Sequence, residues 1–542
     1  MAKYIVVTGG VLSGIGKGIA VATIGKLLST NYKVIVIKCD GYLNVDPGTM
    51  NPIEHGEVFV LDDGAEVDMD FGHYERFIGI NCKANWNITS GKIFQEVLNN
   101  ERKGDYLGKT VQVIPHITNQ IKNTIYELVR EEEAEIVLVE IGGTVGDIES
   151  AWFIEAVRQM KEEIGHEDLI NAHLTYIPVL NTTEDQKTKP AQNDLALLRE
   201  KGINPDIVIG RSVELLTEKT KKKLALRSNL DVHDIISGKD ISTVYEIPIV
   251  FESEGVLEII YDKLMKKKSK YDYFQEKNKV GEQMARFKQL VENIKHPSKE
   301  VTIAICGKYT GLKDSYASII EALIHAGANL NVKVNIRWIE TTDFEEGKLN
   351  IKEGLKNVHG IIVPGGFGSR GIEGKIDVIK YAREKNVPYL GLCYGMQLAV
   401  IEFARNVCGM INANSTEVDP DTKFPVVLLL PSQKEVYKKG GTMRLGGQDI
   451  LIKEGTKAYE IFQTDLIRRR FRHRYEVNPE YTKRLVNKGL VFSGKASGED
   501  IMQILELPSH KFFMATQFHP ELTSRLEEPS ELFLEFVKCC LK

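Results

Sequence analysis

The sequence predicts an α/β fold with two domains, each built on a mostly parallel sheet flanked by helices. Short apolar runs alternate with longer amphipathic stretches, and in the first half of the chain these runs occupy residues 4–7, 34–38, 136–140, 174–180 and 206–209. Strands separated by helical patterns are typical of parallel sheets with crossover helices. The alternation begins again with the runs at 301–307, 332–339, 360–368 and 387–395. A second α/β domain is therefore expected in the second half of the chain.

A polar segment separates the two halves. Residues 262–299 are highly charged, poor in β-branched residues and closed by Pro297, a pattern that predicts a helical linker. At roughly 150 residues per domain, a chain of this length has room for about two to four domains. We expect a first domain over 1–265, a helical linker over 266–299 and a second domain over 300–542.

Charge, cysteine content and hydropathy exclude several classes of protein. The 75 acidic residues nearly balance the 70 basic ones, leaving a net charge of −5, so no bulk charge favours nucleic acid or an anionic membrane. The seven cysteines form no CxxC pair, which favours a reducing compartment. No run approaches the roughly 18 apolar residues of a membrane-spanning helix. We expect a soluble, cytoplasmic protein with no nucleic-acid or membrane partner.

A glycine-rich turn, TGGVLSGIGKG at 8–18, lies between the first apolar run and a helical stretch. Such a turn offers backbone N–H groups to phosphate oxygens, and Lys17 is placed to neutralise a β- or γ-phosphate. The turn departs from the P-loop pattern GxxxxGK[ST] in two ways: five residues separate Gly10 from Gly16, and Gly18 stands where the magnesium-binding hydroxyl would be. The alternative is an ordinary glycine-rich turn with an incidental lysine.

Charged residues at the ends of two predicted strands add to this turn. Lys38 and Glu140 each end an apolar run, and Asp70 lies in a loop-like segment. Ligands bind at the carboxyl ends of parallel strands, and two carboxylates with phosphate oxygens suit Mg²⁺. Taken singly, each carboxylate is also consistent with a surface or N-cap role.

Two further segments are candidates for phosphate binding. Residues 140–149, EIGGTVGDIE, form a second glycine-rich turn. In KTKPAQ at 187–192, Pro190 predicts an extended segment from which Lys187 and Lys189 could clamp a triphosphate. Lys223 lies in the basic run at 219–223, and such runs are usually solvated helix faces.

The second half carries a pattern for cysteine-dependent acyl transfer. LGLCYG at 390–395 fits a nucleophile elbow around Cys393, and QFHPE at 517–521 supplies His519 to deprotonate the thiol and Glu521 to hold the imidazole, both on an extended strand end. The glycine turn PGGFG at 364–368 can aim the Gly366 N–H at an oxyanion alongside the N–H of Tyr394.

An arginine cluster, RRRFRHR at 468–474, holds five arginines in seven residues. It suggests either RNA binding or a bidentate arginine for a substrate carboxylate. The overall charge gives the RNA interpretation little support.

These motifs resemble the CTP synthase family over essentially the whole chain. The segments that carry the resemblance include VTGGVLSGIGKG, NVDPGTMNPIEHGEVFV, EIGGTVGDIES, QKTKPAQ, PGGFG, LCYGMQLAV, RHRYEVN and QFHPE. The resemblance implies a P-loop-like amidoligase (synthetase) domain followed by a class I glutamine amidotransferase domain. That family phosphorylates the 4-oxygen of UTP with ATP and then displaces the phosphate with ammonia from glutamine.

The resemblance also implies roles for individual residues. The ATP phosphates would meet Lys38 and Gly14, Ile15, Gly16, Lys17, Gly18 and Ile19, and Mg²⁺ would take Asp70 and Glu140. The adenine would rest at Lys239, Asp240 and Ile241. The pyrimidine nucleotide would be held by Ser13, Lys187, Thr188, Lys189, Pro190, Ala191, Gln192 and Lys223, with product CTP inhibiting at Asp147, Ile148 and Glu149. Ammonia would arrive at His55.

In the second half the resemblance implies a Cys393, His519 and Glu521 triad. Glutamine would be bound by Gly366, Tyr394, Gly395, Met396, Gln397, Glu417 and Arg474, with Glu417 on the α-ammonium and Arg474 on the α-carboxylate. Activation by GTP near PGGFGSRG, feedback inhibition by CTP, and homotetramers that stack into filaments are implied by the family alone. Departures from the family pattern occur at Gly41, Tyr42, Tyr394, Arg469 and Phe471.

Two rival functions stay open from the sequence. One is another glutamine-dependent ATP amidoligase, such as those that amidate corrinoid carboxylates, although these lack the KTKPAQ and EHGEVFV segments. The other is a catalytically inactive, filament-forming homologue, which would have no need to keep Lys17, Asp70, Glu140 and the complete triad.

Overall fold

The computed structural model describes residues 2–50, 56–180, 185–266, 268–308, 313–366, 368, 370–429 and 444–541. It divides into two compact units. The first unit is Met1–Pro47 with Asp70–Val291, and the second is Gly48–Met69 with Glu292–Lys542. The units therefore do not follow chain order, because a segment from the first half groups with the second unit. The domain bounds expected at 265 and 299 stay a prediction. Among the described helices, none is both long and apolar enough to cross a bilayer.

The first unit is built on a seven-stranded sheet whose strand pairings are all parallel. Five of the predicted runs fall on its strands, although the run at 174–180 overlaps only the end of Leu169–Tyr176. In Val34–Asp40 every residue is buried. Burial on both faces explains the continuous apolar runs. In spatial order the strands are Ile235–Lys239, Ile207–Ser212, Leu169–Tyr176, Lys3–Gly9, Ile136–Ile141, Val34–Asp40 and Asn87–Thr89.

Helices connect these strands, as crossover connections in a parallel sheet require. The connecting helices are Lys17–Leu28, Asp70–Ile78, Ser90–Lys103, Thr118–Glu131, Ala151–Ile164, Lys189–Glu200 and Glu218–Ser228. Two more helices, Ile247–Ser253 and Val256–Leu264, follow the last strand of the sheet.

Two local predictions in this unit are wrong. Asp70 begins a helix rather than lying in a loop. The segment 187–192 is not extended throughout, because Lys189–Gln192 form the first turn of the Lys189–Glu200 helix. Proline lacks only an N–H that would be unpaired in a first turn, so Pro190 starts this helix instead of preventing it.

The helix predicted in the polar segment spans Lys270–Lys295. It buries Val280, Met284, Phe287, Leu290 and Val291. Phe287 packs edge-on against Tyr245, with ring centroids 6.3 Å apart, and Tyr32 donates a hydrogen bond to Glu276. The helix is therefore packed on the first unit over most of its length.

The second unit is built on a nine-stranded mixed sheet. Its first five strands in spatial order are parallel, and the remaining four are antiparallel to their neighbours. The order is Val332–Glu340, Lys299–Gly307, Gly360–Val363, Tyr389–Leu392, Phe513–Thr516, Met502–Glu506, Val491–Ala496, Arg444–Ile452 and Leu466–His473. Its helices are Ala317–Leu330, Thr342–Glu345, Ile351–Gly354, Ile372–Lys385, Tyr394–Asn406, Lys457–Phe462, Pro479–Val486 and Glu531–Cys540. Helices flank a parallel sheet in the first unit and a mixed sheet in the second, which confirms the predicted α/β class.

Two small sheets complete the second unit. One joins Ala413–Ser415, Phe424–Leu428 and Glu476–Val477. The other is a hairpin in which Phe59–Val60 pairs with Glu66–Val67.

Candidate active sites

The phosphate-loop candidate lies where two glycine-rich turns meet. Gly16 has φ +100°, in the left-handed region, and caps the helix that begins at Lys17. The Lys17 ammonium donates a hydrogen bond to the Gly143 carbonyl at 2.7 Å, and Arg211 donates to the Gly14 carbonyl at 2.9 Å. Burial lowers the pKa of Lys17. Lys17 is half-buried, and its ammonium is held beside the second glycine-rich turn.

Lys38 lies among three carboxylates at the carboxyl ends of the strands. It forms an ion pair with Asp70, and its Nζ lies 3.8 Å from Asp40 Oδ1 and 3.9 Å from Glu140 Oε1. Only 5% of its side chain is exposed. Tyr74 donates a hydrogen bond to Glu140. The strand-end positions therefore converge as the parallel topology predicts.

The two predicted magnesium ligands differ in their electrostatics. Burial opposes ionisation of Asp70, but the positive charges of Lys38, His73 and Lys17 outweigh it and hold the pKa of Asp70 below its usual value. Burial raises the pKa of Glu140 to about 7, with Asp70 adding to the rise and Lys38 opposing it. A divalent cation between these groups would favour both ionised forms.

The fit of Asp70 and Glu140 to Mg²⁺ depends on how many protein ligands surround them. Among the residues that the structure describes, no group of three or more His, Cys, Asp or Glu side chains could hold a metal ion. A Cβ on Gly18 would lie 2.4 Å from Asp70 Oδ1, so the Asp70 carboxylate fills the space of the side chain that the P-loop pattern would supply. Two carboxylates that leave room for phosphate oxygens fit magnesium, which takes few protein ligands.

Most of the residues expected at the nucleotides lie in turns and first helical turns of the first unit, and Lys223 lies inside the Glu218–Ser228 helix. Lys187 pairs with Asp185 at 3.0 Å, and Gln192 donates to the Thr188 hydroxyl at 2.9 Å. The remaining members Ser13, Ile148, Glu149, Lys189 and Lys223 are exposed. Ile15 and Ala191 are buried and thus act through their backbone at most.

The remaining predicted positions in this unit are at the sheet edge and in the second glycine turn. Lys239 ends the Ile235–Lys239 strand. Asp240 forms an ion pair with Arg211, with 2.9 Å between Arg211 Nε and Asp240 Oδ1. Asp147 accepts a hydrogen bond from the Thr144 N–H at 3.0 Å. His55 lies outside the described residues.

A buried chain of three polar residues behind the loop was not predicted. The Thr8 hydroxyl lies 2.9 Å from His173 Nδ1, and His173 Nε2 lies 2.9 Å from Asp194 Oδ2. A Cβ on Gly10 would lie 1.7 Å from Asp194 Oδ1. The helix that carries Lys189–Gln192 therefore supports the phosphate loop directly. No spacing in the sequence links these three positions.

The second site contains a strained strand-to-helix turn at Cys393. This residue has φ 49° and ψ −98° between the Tyr389–Leu392 strand and the Tyr394–Asn406 helix, and its N–H donates to the Thr516 carbonyl at 2.7 Å. A Cβ on Gly395 would lie 2.2 Å from the Val363 carbonyl oxygen, so the elbow requires glycine there. Positive φ at a non-glycine residue marks the strain expected of a nucleophile elbow.

His519 and Glu521 lie next to this turn. His519 Nδ1 is 2.7 Å from Glu521 Oε1, while its buried Nε2 has no hydrogen-bond partner within the described part of the chain. Burial opposes protonation, but the charges of Glu521 and Cys393 raise the pKa of His519 to about 10. Glu521 lies in the 3₁₀ turn Pro520–Thr523, not on an extended strand end as predicted. A turn brings residues two apart together, whereas a strand end would separate them.

Gly365 and Gln517 complete the surroundings of the thiol. A Cβ on Gly365 would lie 3.0 Å from His519 Cε1 and 3.6 Å from Cys393 Cβ. The Gln517 side-chain amide donates to Cys393 Sγ at 3.5 Å. The 364–366 loop therefore lies against both the nucleophile and the base.

The predicted glutamine-binding residues surround the same turn. Glu417 accepts a hydrogen bond from the Gly368 N–H at 3.1 Å, and the Tyr394 hydroxyl donates to the Gly368 carbonyl at 3.2 Å. Gln397 donates to the Tyr475 carbonyl at 2.8 Å. Burial and Glu417 raise the pKa of Tyr475, and Arg474 opposes the rise, so opposite charges converge there. Met396 is fully buried in the core.

The arginine cluster divides into structural members and one free member. Arg468 pairs with Asp62 at 3.1 Å, Arg472 with Glu66 at 2.7 Å and Arg469 with Glu531 at 2.9 Å. Arg470 donates to the Val60 carbonyl at 3.1 Å. Arg474 is exposed and has no ion pair with the described residues. The cluster mostly holds the 59–67 hairpin, which no local sequence pattern indicates.

A strained cysteine elbow beside a His–Glu pair, in a chain with a separate phosphate-loop unit, defines a glutamine-dependent amidating ligase. In agreement, the family model described as glutamine amidotransferase class-I matches residues 311–539, and the model for the CTP synthase N-terminus matches residues 3–266.

Full-length relatives agree with the two models. The chain is 50% identical to a CTP synthase of Borreliella afzelii over 99% of both chains, and 52% identical to one of Sulfolobus acidocaldarius over 99% of both chains. A solved glutaminase domain of a Trypanosoma brucei CTPS, with bound acivicin, is 34% identical and covers 44% of this chain and 94% of that chain, with a TM-score of 0.41. The chain belongs to the CTP synthase family.

Proposed function

We propose that the first unit transfers the γ-phosphate of ATP to the 4-oxygen of UTP and that ammonia from glutamine, released in the second unit, displaces it to give CTP. The observation that carries this proposal is the convergence of Lys17, Lys38, Asp70 and Glu140 in one unit, with a Cys393–His519–Glu521 site in the other. An amide oxygen is a poor leaving group, and phosphorylation makes it a good one. The chain is thus a ligase that forms a C–N bond and has glutaminase activity.

The first unit would act by positioning and charge neutralisation, which is what phosphoryl transfer requires. The 14–19 loop would hold the ATP phosphates, with Lys17 and Lys38 on the transferring group. Asp70 and Glu140 would hold Mg²⁺, which neutralises phosphate charge when bound. Ser13, Lys187–Gln192 and Lys223 would bind the UTP triphosphate, and Lys239–Ile241 the adenine of ATP.

The second unit would act through a covalent thioester. The Cys393 thiolate attacks the side-chain amide carbon of glutamine, and the carbonyl oxygen becomes an oxyanion bound by the N–H groups of Gly366 and Tyr394. His519 protonates the leaving nitrogen, and ammonia departs. Water then attacks the thioester with His519 as base, which releases glutamate and restores the thiol. Glu417 and Arg474 would hold the α-ammonium and α-carboxylate.

Regulation and assembly follow the family pattern in this proposal. Asp147, Ile148 and Glu149 would bind inhibitory CTP, and GTP would activate near the 364–371 loop. Exposed apolar side chains in the first unit, such as Leu43 at 69% and Leu107 at 88%, are consistent with a homotetramer that can form filaments. None of the seven cysteines is in a disulfide and all are buried, which is consistent with a cytoplasmic location.

The proposal is tested by Lys17→Ala. CTP formation, followed by absorbance with UTP, ATP, Mg²⁺ and either glutamine or ammonium, should be lost with both nitrogen sources, because the phosphate step is common to both. Glutamine hydrolysis should survive. The exposed Lys33 supplies the matched control as Lys33→Ala, which should leave all three activities unchanged. Synthesis from ammonium at the parent rate would show that Lys17 does not serve the phosphate.

A further inference from the structure

Lys375 is a buried cation that the glutaminase chemistry above does not use. It lies in the first turn of the Ile372–Lys385 helix, and its side chain is 1% exposed. No described residue forms a hydrogen bond or ion pair with its ammonium. Buried ammonium groups in proteins are normally paired, because removal from water strongly disfavours the charged form. An unpaired one therefore needs an explanation in its surroundings.

The Lys375 ammonium faces the two residues assigned to the oxyanion hole. Its Nζ lies 3.8 Å from the position of a Cβ on Gly366. It also lies 5.4 Å from the centroid of the Tyr394 ring, over the ring face, which is a cation–π arrangement. The titratable and charged groups that act on it are Lys308, Glu340, Cys306 and Glu345.

The helix that carries Lys375 is held in place at its beginning. Glu345 accepts hydrogen bonds from the N–H groups of Gly371 and Gly374, each at 3.2 Å. A Cβ on Gly374 would lie 2.1 Å from the Thr341 carbonyl oxygen, so the helix packs tightly against the preceding segment. The ammonium is thus fixed relative to the 364–366 loop.

We propose that Lys375 is a positioning residue of the glutaminase oxyanion hole. Its ammonium fixes the positions of Gly366 and the Tyr394 ring relative to each other. It also adds positive potential where the tetrahedral intermediate carries its negative charge. In a water-poor site a fixed cation acts strongly on a developing oxyanion. The inference rests on the proposed function, which assigns the oxyanion to the N–H groups of Gly366 and Tyr394.

The charge of Lys375 should affect how glutaminase kcat depends on pH. Burial, with a contribution from Lys308, lowers the pKa of Lys375 to about 8, and Glu340 opposes the shift. The parent protein should therefore lose glutaminase kcat as the pH rises through about 8, because the ammonium is then deprotonated. An arginine stays charged over this range, so Lys375→Arg should not show this alkaline fall.

The experiment compares Lys375→Met, which keeps the length without the charge, with Lys375→Arg and with Lys385→Met on the exposed end of the same helix. Glutaminase kcat and glutamine KM are measured from about pH 6.5 to about pH 9.5, a range centred on the pKa of about 8 of Lys375. We expect Lys375→Met to lower kcat by about tenfold to a hundredfold with little change in KM, and Lys375→Arg to restore part of it. Lys385→Met should match the parent.

CTP synthesis from ammonium and the melting temperature report folding in the same preparations. If Lys375→Met does not fold, the pH profiles of the parent and Lys375→Arg decide the question. A kcat of Lys375→Met within twofold of the parent, or the same alkaline fall in Lys375→Arg as in the parent, would overturn the inference. A parent without any glutaminase activity would instead overturn the proposed function.

Discussion

The Asp70 carboxylate occupies the space that a side chain at Gly18 would need. A Cβ at position 18 would lie 2.4 Å from Asp70 Oδ1 and 2.7 Å from its Cγ, and Asp70 is ion-paired with Lys38. In the P-loop pattern, this position carries a hydroxyl that binds magnesium. Here a carboxylate from a different helix fills the same volume, so the departure of the glycine-rich turn from that pattern has a structural reason.

Gly18→Ser, which supplies the hydroxyl that the P-loop pattern has at this position, should therefore damage synthesis. The new side chain displaces Asp70 from Lys38, and small displacements of positioning groups can cost about a hundredfold in rate. CTP formation from both glutamine and ammonium should fall at least roughly tenfold, while glutamine hydrolysis should persist. Gly281, which has open space around it in the Lys270–Lys295 helix, provides the control Gly281→Ser. Near-parent synthesis by Gly18→Ser would refute the proposed role of Asp70.

Arg474→Lys should raise the glutamine KM by about tenfold, because an ammonium cannot reproduce a planar fork on a carboxylate. Synthesis from ammonium should be unchanged. Arg469→Lys is the control in the strand that ends just before Arg474. Arg469 is already paired with Glu531, so this substitution should leave the glutamine KM near the parent value. An unchanged KM in Arg474→Lys would make Arg474 an ordinary surface residue.

The His519–Glu521 pair should make stability depend on pH. Glu521 and Cys393 raise the pKa of His519 from its ordinary value of 6.5 to about 10. The stabilisation is therefore fully present below pH 6.5 and is lost as the pH rises toward 10.

Glu521→Gln removes the main source of this shift. The difference in melting temperature between the parent and Glu521→Gln should be largest at about pH 6 and smallest at about pH 9.5. The exposed Glu454→Gln should show no such trend. A difference that grows with pH would have the wrong sign for this pair.

Local patterns in the sequence indicate the Cys393 turn and most of the parallel strands, but not Asn87–Thr89, Ile235–Lys239 or the antiparallel strands of the second unit. Buried parallel strands are apolar along their whole length, and the glycines at 391 and 395 mark the elbow. Local patterns do not indicate a side-chain contact whose two residues are far apart in the sequence. The Thr8–His173–Asp194 chain joins three separate elements. Pro190 was misinterpreted because its effect depends on whether it lies in the first turn of a helix or inside one.

The arginine cluster shows the same limit. Its alternate members, Arg468, Arg470 and Arg472, bind the 59–67 hairpin, about 400 residues away in the chain. The composition of 468–474 indicates only that basic side chains are present. Only the folded unit shows that the 59–67 hairpin binds three of these arginines and that Arg474 is exposed.

Cys393→Ala tests most directly whether glutamine hydrolysis and CTP formation occur at two separate sites. This substitution removes the nucleophile and shrinks the elbow only by a sulfur atom. Glutaminase activity and glutamine-dependent CTP synthesis should fall by at least about a thousandfold. CTP formation from ammonium salt at mildly alkaline pH, where more free ammonia is present, should stay near the parent rate. Glutamine-driven synthesis that survives the substitution, or loss of ammonium-driven synthesis in a folded variant, would contradict the account.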